Sequence, residues 1–206
     1  MLNQKGQIYC ATIARVPPKV RKWIREWAET LVVAVGLALL IRSFLVQPFK
    51  IPSGSMHPTL KIGDRLIVNK LRYGGRVPLT EYRLPGFGKP ERGDIIVFDY
   101  PVDPSRDFIK RLIAFGGETV RIKDGHIYVN DRQLDEPRIA GQHYFNMGSL
   151  SDEKKSVTVP EGQVYVLGDN SASSADSRYW GFVPEKNIIG RAEWIYWPPG
   201  RISQLK

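Results

Sequence analysis

The sequence predicts a mainly β fold preceded by one N-terminal transmembrane helix. Three observations carry this. An uninterrupted apolar run at residues 31–41 follows a basic cluster of Lys19, Arg21, Lys22 and Arg25. From Leu60 onward, short runs rich in Ile, Val, Phe and Tyr alternate with turn residues, the texture of strands. Fifteen prolines and nineteen glycines in 206 residues punctuate the chain too often for long helices.

The N-terminal element comes first. Residues 1–18 read as a leader and residues 19–29 as helix. The apolar run is shorter than 18 uncharged residues, so a buried core helix is one reading. The run is apolar on every face, however, and shows no single stripe to pack. A helix over residues 27–49 would be about 34 Å long, enough to cross a bilayer. Arg42 would then snorkel at one interface. Trp23, Trp27 and Phe49 would suit interfacial anchoring, and Pro48 would end the helix. No small-x-small site follows, because Val46-Gln47-Pro48-Phe49 stand there. An uncleaved anchor is expected rather than a removed leader. The basic cluster stays inside by the positive-inside rule. The expected organisation is a cytoplasmic leader over 1–26, an anchor over 27–48 and an extracytoplasmic domain over 49–206.

Composition narrows the partners. Hydrophobic residues at 42% and charged residues at 25% describe an ordinary globular protein. Cys10 stands alone, which excludes an intrachain disulfide and a zinc site built on two cysteines. His57, His126 and His143 are scattered, so no metal or cofactor is expected. The formal net charge of +9 suits nucleic acid or anionic lipid. The basic cluster abuts the apolar run, which favours membrane lipid. No helix-turn-helix or aromatic RNA-binding pattern is present, so no nucleic-acid partner is expected.

The strands follow in order. Residues 65–69, 94–98, 107–114 and 164–167 read as strands. Residues 119–123 and 126–129 flank Asp124-Gly125, the signature of a two-residue hairpin. Residues 74–91 and 131–156 read as irregular. At 192–197, Trp194 and Tyr196 alternate with Ile195 and Trp197. These aromatics suit either a core strand or the membrane interface beside Phe49.

Three stretches suggest chemistry. Residues 51–60 (Ile-Pro-Ser-Gly-Ser-Met-His-Pro-Thr-Leu) form a stiff loop. Pro52 and Pro58 fix φ, and Gly54 permits a backbone that a Cβ would obstruct. The loop reads as an ordinary turn or as a mount for a nucleophilic serine. Lys110 shares a strand face with Phe108 and Leu112, while Arg111 shares the other with Ile109 and Ile113. Such a lysine is either an edge gatekeeper or snorkelling cation, or an amine desolvated towards neutrality. A neutral amine is a competent general base. Bringing it from about 10.4 to near 7 requires roughly 4–5 kcal/mol of destabilisation of the charged form. The histidines make poorer partners for a serine, although spatial proximity stays open for them. Finally, residues 168–181 read as a polar surface loop or a support loop, with Asp176 and Arg178 as its ion pair.

Five motifs in order give a resemblance. They are Ile51-Pro52-Ser53-Gly54-Ser55-Met56, Gly63-Asp64, residues 92–98 (Arg-Gly-Asp-Ile-Ile-Val-Phe), Phe108-Ile109-Lys110-Arg111, and Gly168-Asp169-Asn170 with Ser177-Arg178-Tyr179-Trp180-Gly181. Together, behind an N-terminal anchor, they resemble the bacterial type I signal peptidases over residues 30–197. The resemblance implies a signal-peptidase/LexA-like β-fold catalytic domain with a small accessory β insertion over about 117–163. It implies a serine endopeptidase of the bacterial cytoplasmic membrane, single-pass, that removes signal peptides from exported preproteins after small residues of the Ala-x-Ala type. Ser55 is then the nucleophile and Lys110 the general base. Ser53 Oγ and the Ser55 N–H form the oxyanion hole. Ser174 orients the lysine, and Asp176 and Arg178 support the loop. Ile51, Pro52, Met56, Leu60, Phe108 and Ile109 match positions that line the substrate pockets.

The sequence departs from the family pattern where Ser171 and Ser173 replace an Arg and an Asn. Either Ser173 or Ser174 could then face the lysine, and Ser174 is the match. Two rivals remain: a same-chemistry one, either a self-cleaving Ser-Lys repressor, which would need a DNA-binding domain where the apolar run stands, or a protease with dedicated substrates, and a non-catalytic tethered β module, against which Ser55 and Lys110 speak.

Overall fold

The structure, a computed structural model, describes residues 17–41, 45–74, 82, 85–139, 141–151 and 155–205. The chain divides into two units, residues 1–40 and 41–206.

The first unit holds helix α1 (Pro18–Leu40). Pro18 suits the first helical position, where an N–H would have no intrahelical partner. Trp23 and Trp27 lie one turn apart with ring centroids at 5.8 Å. Lys22–Glu26 and Arg25–Glu29 form exposed pairs along the first half. Among the described residues no helix is long and apolar enough to cross a membrane. Charged side chains fill the first half of α1, and the 31–41 run covers only about 16 Å against about 30 Å of hydrocarbon.

The helix expected over 27–49 is corrected at its C-terminal end, and the helix expected over 19–29 runs continuously into it. It begins at Pro18 and stops at Leu40, while Val46–Lys50 is strand β1. The physical reason is pairing. β1 runs antiparallel to β2 (Arg65–Asn69) over five residue pairs, from Val46↔Asn69 to Lys50↔Arg65. β1 lies at the sheet edge, where Pro48 removes no ladder bond that the fold needs. Arg42 and residues 1–16 lie outside the described residues.

Among the described residues, the second unit is built of strands joined by short helical turns and irregular connections. Its strands are β3 (Ile95–Asp99), β4 (Asp107–Phe115), β5 (Thr119–Lys123), β6 (His126–Val129), β7 (Arg132–Gln133), β8 (Val157–Thr158), β9 (Gln163–Leu167), β10 (Val183–Pro184), β11 (Ile188–Trp197) and β12 (Ser203–Gln204). The larger sheet runs β1-β2-β11-β3-β4-β9-β10, with β12 added to β11. A second sheet runs β7-β6-β5-β8. A one-turn helix, α2 (Ser177–Trp180), follows β9.

β3 explains how the core is divided. Ile95 and Val97 face a cluster with Ile51, Met56, Leu60, Leu66 and Val68. Ile96 and Phe98 face the opposite cluster with Leu112, Val164 and Val166. A strand buried on both faces needs a continuous apolar run, which this one has. Each such side chain contributes roughly 1.5–3 kcal/mol on burial. A third cluster joins Val120, Ile122 and Ile127 of the small sheet to Ile113, Tyr165 and Leu167 of the large one.

The β5–β6 turn follows from its residues. Asp124 and Gly125 adopt φ of 50° and 79°, as a type I′ turn requires. A Cβ on Gly125 would also sit 2.1 Å from the His143 ring.

Candidate active site

The loop between β1 and β2 carries both candidate serines. Its neck closes through Ile51 N–H donating to Asp64 O at 2.9 Å and Gly63 N–H donating to Ile51 O at 2.9 Å. Inside the loop, His57 N–H donates to Gly54 O and Leu60 N–H to Met56 O. Ile51, Met56 and Leu60 anchor this loop in the core. Ser55 is left buried but at the surface of the core, at 8% exposure.

β4 delivers the partner. Lys110 Nζ stands 2.7 Å from Ser55 Oγ and 3.1 Å from Ile109 O. Lys110 is 4% exposed. Burial pushes its amine down to about 8, while the charges of Asp176 and Asp169 pull it back up. The Phe108 ring, 5.5 Å from Nζ, also favours the charged form. These opposing charges stop the shift short of 7. The arrangement places a hydroxyl beside an amine that gives up its proton near neutral pH, which suits a nucleophile and its general base. His57, His126 and His143 are all exposed. None of their rings hydrogen-bonds a serine among the described residues.

The segment after β9 locks loop and strand together. Asn170 N–H donates to Ser55 O at 3.0 Å, and Asn170 Nδ2 donates to Gly54 O at 3.1 Å. Thr59 Oγ1 donates to Asp169 Oδ2 at 2.5 Å. Asp169 also takes a two-pronged bond from buried Arg111, with Nε at 2.8 Å from Oδ1 and Nη2 at 2.6 Å from Oδ2. Arg111 Nη1 donates to Gly93 O at 2.7 Å. Asp169 therefore ties the serine loop to the residue next to Lys110. The sequence reading missed this pair. Its signal was present, since Arg111 sits between Ile109 and Ile113 on a strand face as apolar as that of Lys110.

Gly168 makes the junction possible. It follows Leu167, the β9 residue paired with Arg111. A Cβ on Gly168 would lie 2.2 Å from Ser174 Oγ and 2.5 Å from Ser55 O. Only a bare α-carbon lets these groups approach.

The remaining candidates sort by exposure. Ser174 is buried and Ser173 exposed, which separates the two serines. Ser174 Oγ is buried with no hydrogen-bond partner among the described residues, and it makes no bond to Lys110. Asp176 and Arg178 pair at 2.8 Å and 2.9 Å with both side chains fully buried. Asp176 Oδ2 also accepts from Gly168 N–H at 3.1 Å, and Arg178 Nη1 reaches Phe145 O and Ser171 Oγ at 2.8 Å. Ser53 is exposed. The Ser55 N–H makes no hydrogen bond among the described residues, so it is available to an incoming oxygen. Met56 and Leu60 have no exposed surface and Ile51 almost none, while Pro52, Phe108 and Ile109 present surface beside the serine and lysine. Asp94 of the Arg-Gly-Asp motif is buried beneath Tyr73, Arg138 and Arg191, at 2.5, 3.2 and 3.1 Å, and holds the start of β3.

The sequence pattern of the family described as "Signal peptidase, peptidase S26" matches residues 24–197. A signal peptidase I of Pseudomonas aeruginosa is 35% identical over 215 residues, covering 87% of this chain and 75% of its own. A probable signal peptidase I-2 of Synechocystis sp. is 41% identical over 194 residues, covering 91% of this chain and 79% of its own. A crystal structure of a signal peptidase I from Enterococcus faecalis V583 is 37% identical with a TM-score of 0.42, covering 50% of this chain and 96% of that one. The chain belongs to the signal peptidase family, peptidase S26. It is a serine endopeptidase, a hydrolase of peptide bonds.

Proposed function

We propose that this chain removes N-terminal signal peptides from exported preproteins, cleaving after small residues at Ala-x-Ala type sites with Ser55 as nucleophile and Lys110 as general base. The observation that carries the reading is the 2.7 Å contact between Lys110 Nζ and Ser55 Oγ, both buried. The relatives' names support the substrate class.

The chemistry follows from the positions. Neutral Lys110 takes the Ser55 proton as Oγ attacks the scissile carbonyl. The oxyanion is held by the Ser55 N–H and by Ser53 Oγ once that exposed side chain turns inward. Lys110 then protonates the leaving amine, and the ester on Ser55 remains. A water that surrenders its proton to Lys110 hydrolyses the ester and restores the serine. Ser174 Oγ, buried and unpartnered beside Gly168, orients the amine during these transfers, and the Asp176–Arg178 pair fixes its loop. Pro52, Phe108 and Ile109 contact the residues before the cut, while Ile51, Met56 and Leu60, with little or no exposed surface, support the serine loop from the core rather than lining the pocket. Small residues alone then bring the carbonyl within attack distance.

The protein works at the bacterial cytoplasmic membrane as a single-pass protein. Residues 17–41 engage lipid, and residues from about 47 onward lie on the extracytoplasmic side. The basic cluster at Lys19–Arg25 beside the apolar run and the Trp23–Trp27 pair supports this.

The test is cleavage of a preprotein carrying an Ala-x-Ala site. Wild type should cut it, and Ser55→Ala and Lys110→Ala should each lose at least 1,000-fold in kcat/KM while keeping the wild-type circular dichroism, by the scale seen when nucleophile or base is removed from such pairs (~10⁴-fold or more). Cleavage by Ser55→Ala at the wild-type rate removes the serine from the mechanism.

A further inference from the structure

We infer that Arg201 is a positioning residue for the nucleophile loop, acting from a segment that lies beyond the matched family region of residues 24–197. The inference rests on the reading of Ser55 as nucleophile. After β11, the chain turns through a short 3₁₀ segment (Pro199–Arg201) and returns as β12 along β11, pairing Trp194 with Gln204 and Ile195 with Ser203. Leu205 then enters the core cluster that contains Ile51, Met56 and Leu60, and its N–H donates to Glu193 O at 2.7 Å. The segment is thus fixed at both ends. Arg201 projects from its middle onto the serine loop.

Arg201 grips that loop at two places. Its Nε donates to Asp64 Oδ1 at 2.9 Å and its Nη2 to Oδ2 at 2.8 Å. The same Nη2 donates to the Thr59 carbonyl at 3.1 Å. Asp64 is 2% exposed, sits at the loop neck and also accepts from Lys61 N–H at 2.8 Å. Thr59 lies one turn past Ser55. Its hydroxyl is the group that reaches Asp169, and its neighbour Leu60 bonds back to Met56. Arg201 therefore holds the exit side of the loop, where Asp169 also takes the Thr59 hydroxyl, while Asn170 holds the Gly54–Ser55 side. The arrangement needs a guanidinium. A planar fork spans two carboxylate oxygens and a carbonyl at once, and an ammonium is a point charge on a flexible stem. Arg201 touches neither Ser55 nor Lys110, so its effect passes through the backbone between Thr59 and Ser55. A nucleophile displaced by about 1 Å loses on the order of 100-fold in rate.

The experiment compares the purified full chain with Arg201→Gln, Arg201→Lys and Ser55→Ala on one preprotein substrate, at a temperature where melting curves show each variant folded. The expected result is a drop in kcat of about 10–100-fold for Arg201→Gln, with KM within about twofold, and a smaller drop for Arg201→Lys, which keeps one bond to Asp64. Wild-type kcat in Arg201→Gln, even with a lower melting temperature, would overturn the proposal, because a stability role alone leaves the folded fraction fully active. Raised KM with unchanged kcat would overturn it too, by making Arg201 a substrate contact. If Arg201→Gln does not fold, Arg201→Lys carries the test, and wild-type kcat in that variant overturns the proposal. Full activity in Ser55→Ala would remove the underlying reading instead, whatever Arg201 does.

Discussion

Lys110 meets two opposing demands. Its burial disfavours the ammonium, yet Asp176 and Asp169 stand close enough to favour it. The balance near 8 leaves about a tenth of the amine neutral at pH 7. The kcat/KM of preprotein cleavage should therefore rise about tenfold per pH unit below pH 8 and level off above it. Asp169→Asn should move this limb to lower pH, because it deletes one of the charges that raise the amine. A limb centred near pH 10 would mean a solvated lysine and would end its role as base. The same shift appears in stability. The folded amine titrates near 8 and the unfolded one near 10.5, so between these values the unfolded chain holds more protons. Stability should rise with pH across that interval and lose this contribution as pH falls back through 8. Above pH 10 the buried phenols of Tyr73, Tyr144 and Tyr165 reverse the trend. Burial raises them, and the unfolded chain ionises first. The readable window is thus about pH 8–10. Lys110→Met should flatten the rise and exceed wild type at pH 7 by up to about 3 kcal/mol in denaturant unfolding. An unchanged midpoint would show that the ammonium is not desolvated.

At the level of elements, legibility tracks how local the cause is. The β5–β6 hairpin was readable because Asp124-Gly125 encodes its own turn. β3 and β4 were readable because their apolar runs and turn residues sit side by side in the chain. β1 was not. Phe49, Val46 and Pro48 look like the tail of an apolar helix, and only the distant strand β2 makes them a strand. The site divides the same way. Ser55 and Lys110 stood out locally as a stiff serine loop and a lysine among apolar neighbours, each with a bland reading beside it, and it was the resemblance that paired them. The Arg111–Asp169 and Thr59–Asp169 bonds join residues 58 and 110 positions apart, and no local pattern specifies them. Gly168 shows how an element junction constrains the chemistry. A Cβ there meets a side chain and a backbone carbonyl, and the carbonyl belongs to Ser55 itself. Gly168→Ala should lower kcat by about 100-fold while leaving the far-ultraviolet circular dichroism unchanged, because the serine loop must retreat and the sheets need not. Wild-type turnover in this variant would show that the loop yields without moving Oγ away from Nζ.

For the whole molecule, the proposed membrane placement turns on how a helix with a charged first half would engage a bilayer. The uncharged stretch of α1 is too short to cross by itself, and Lys19, Arg21, Lys22, Arg25, Glu26 and Glu29 precede it. A spanning placement therefore puts Trp23 and Trp27 at headgroup depth and leaves the basic cluster against anionic lipid. A helix lying in the interface would need a polar face along its full length, and residues 31–41 provide none. On the proposed membrane placement, this asymmetry suits insertion rather than surface binding. The expected outcome is that the full chain stays in the membrane pellet after alkaline carbonate washing and after washing with high salt. Salt alone would release a protein held by its charges, because a surface attraction fades within a Debye length of about 3 Å at 1 M ionic strength. Protease added outside spheroplasts should then digest residues beyond 50 and spare the basic cluster. Release by carbonate would make α1 a surface element, and protection of residues beyond 50 would reverse the orientation.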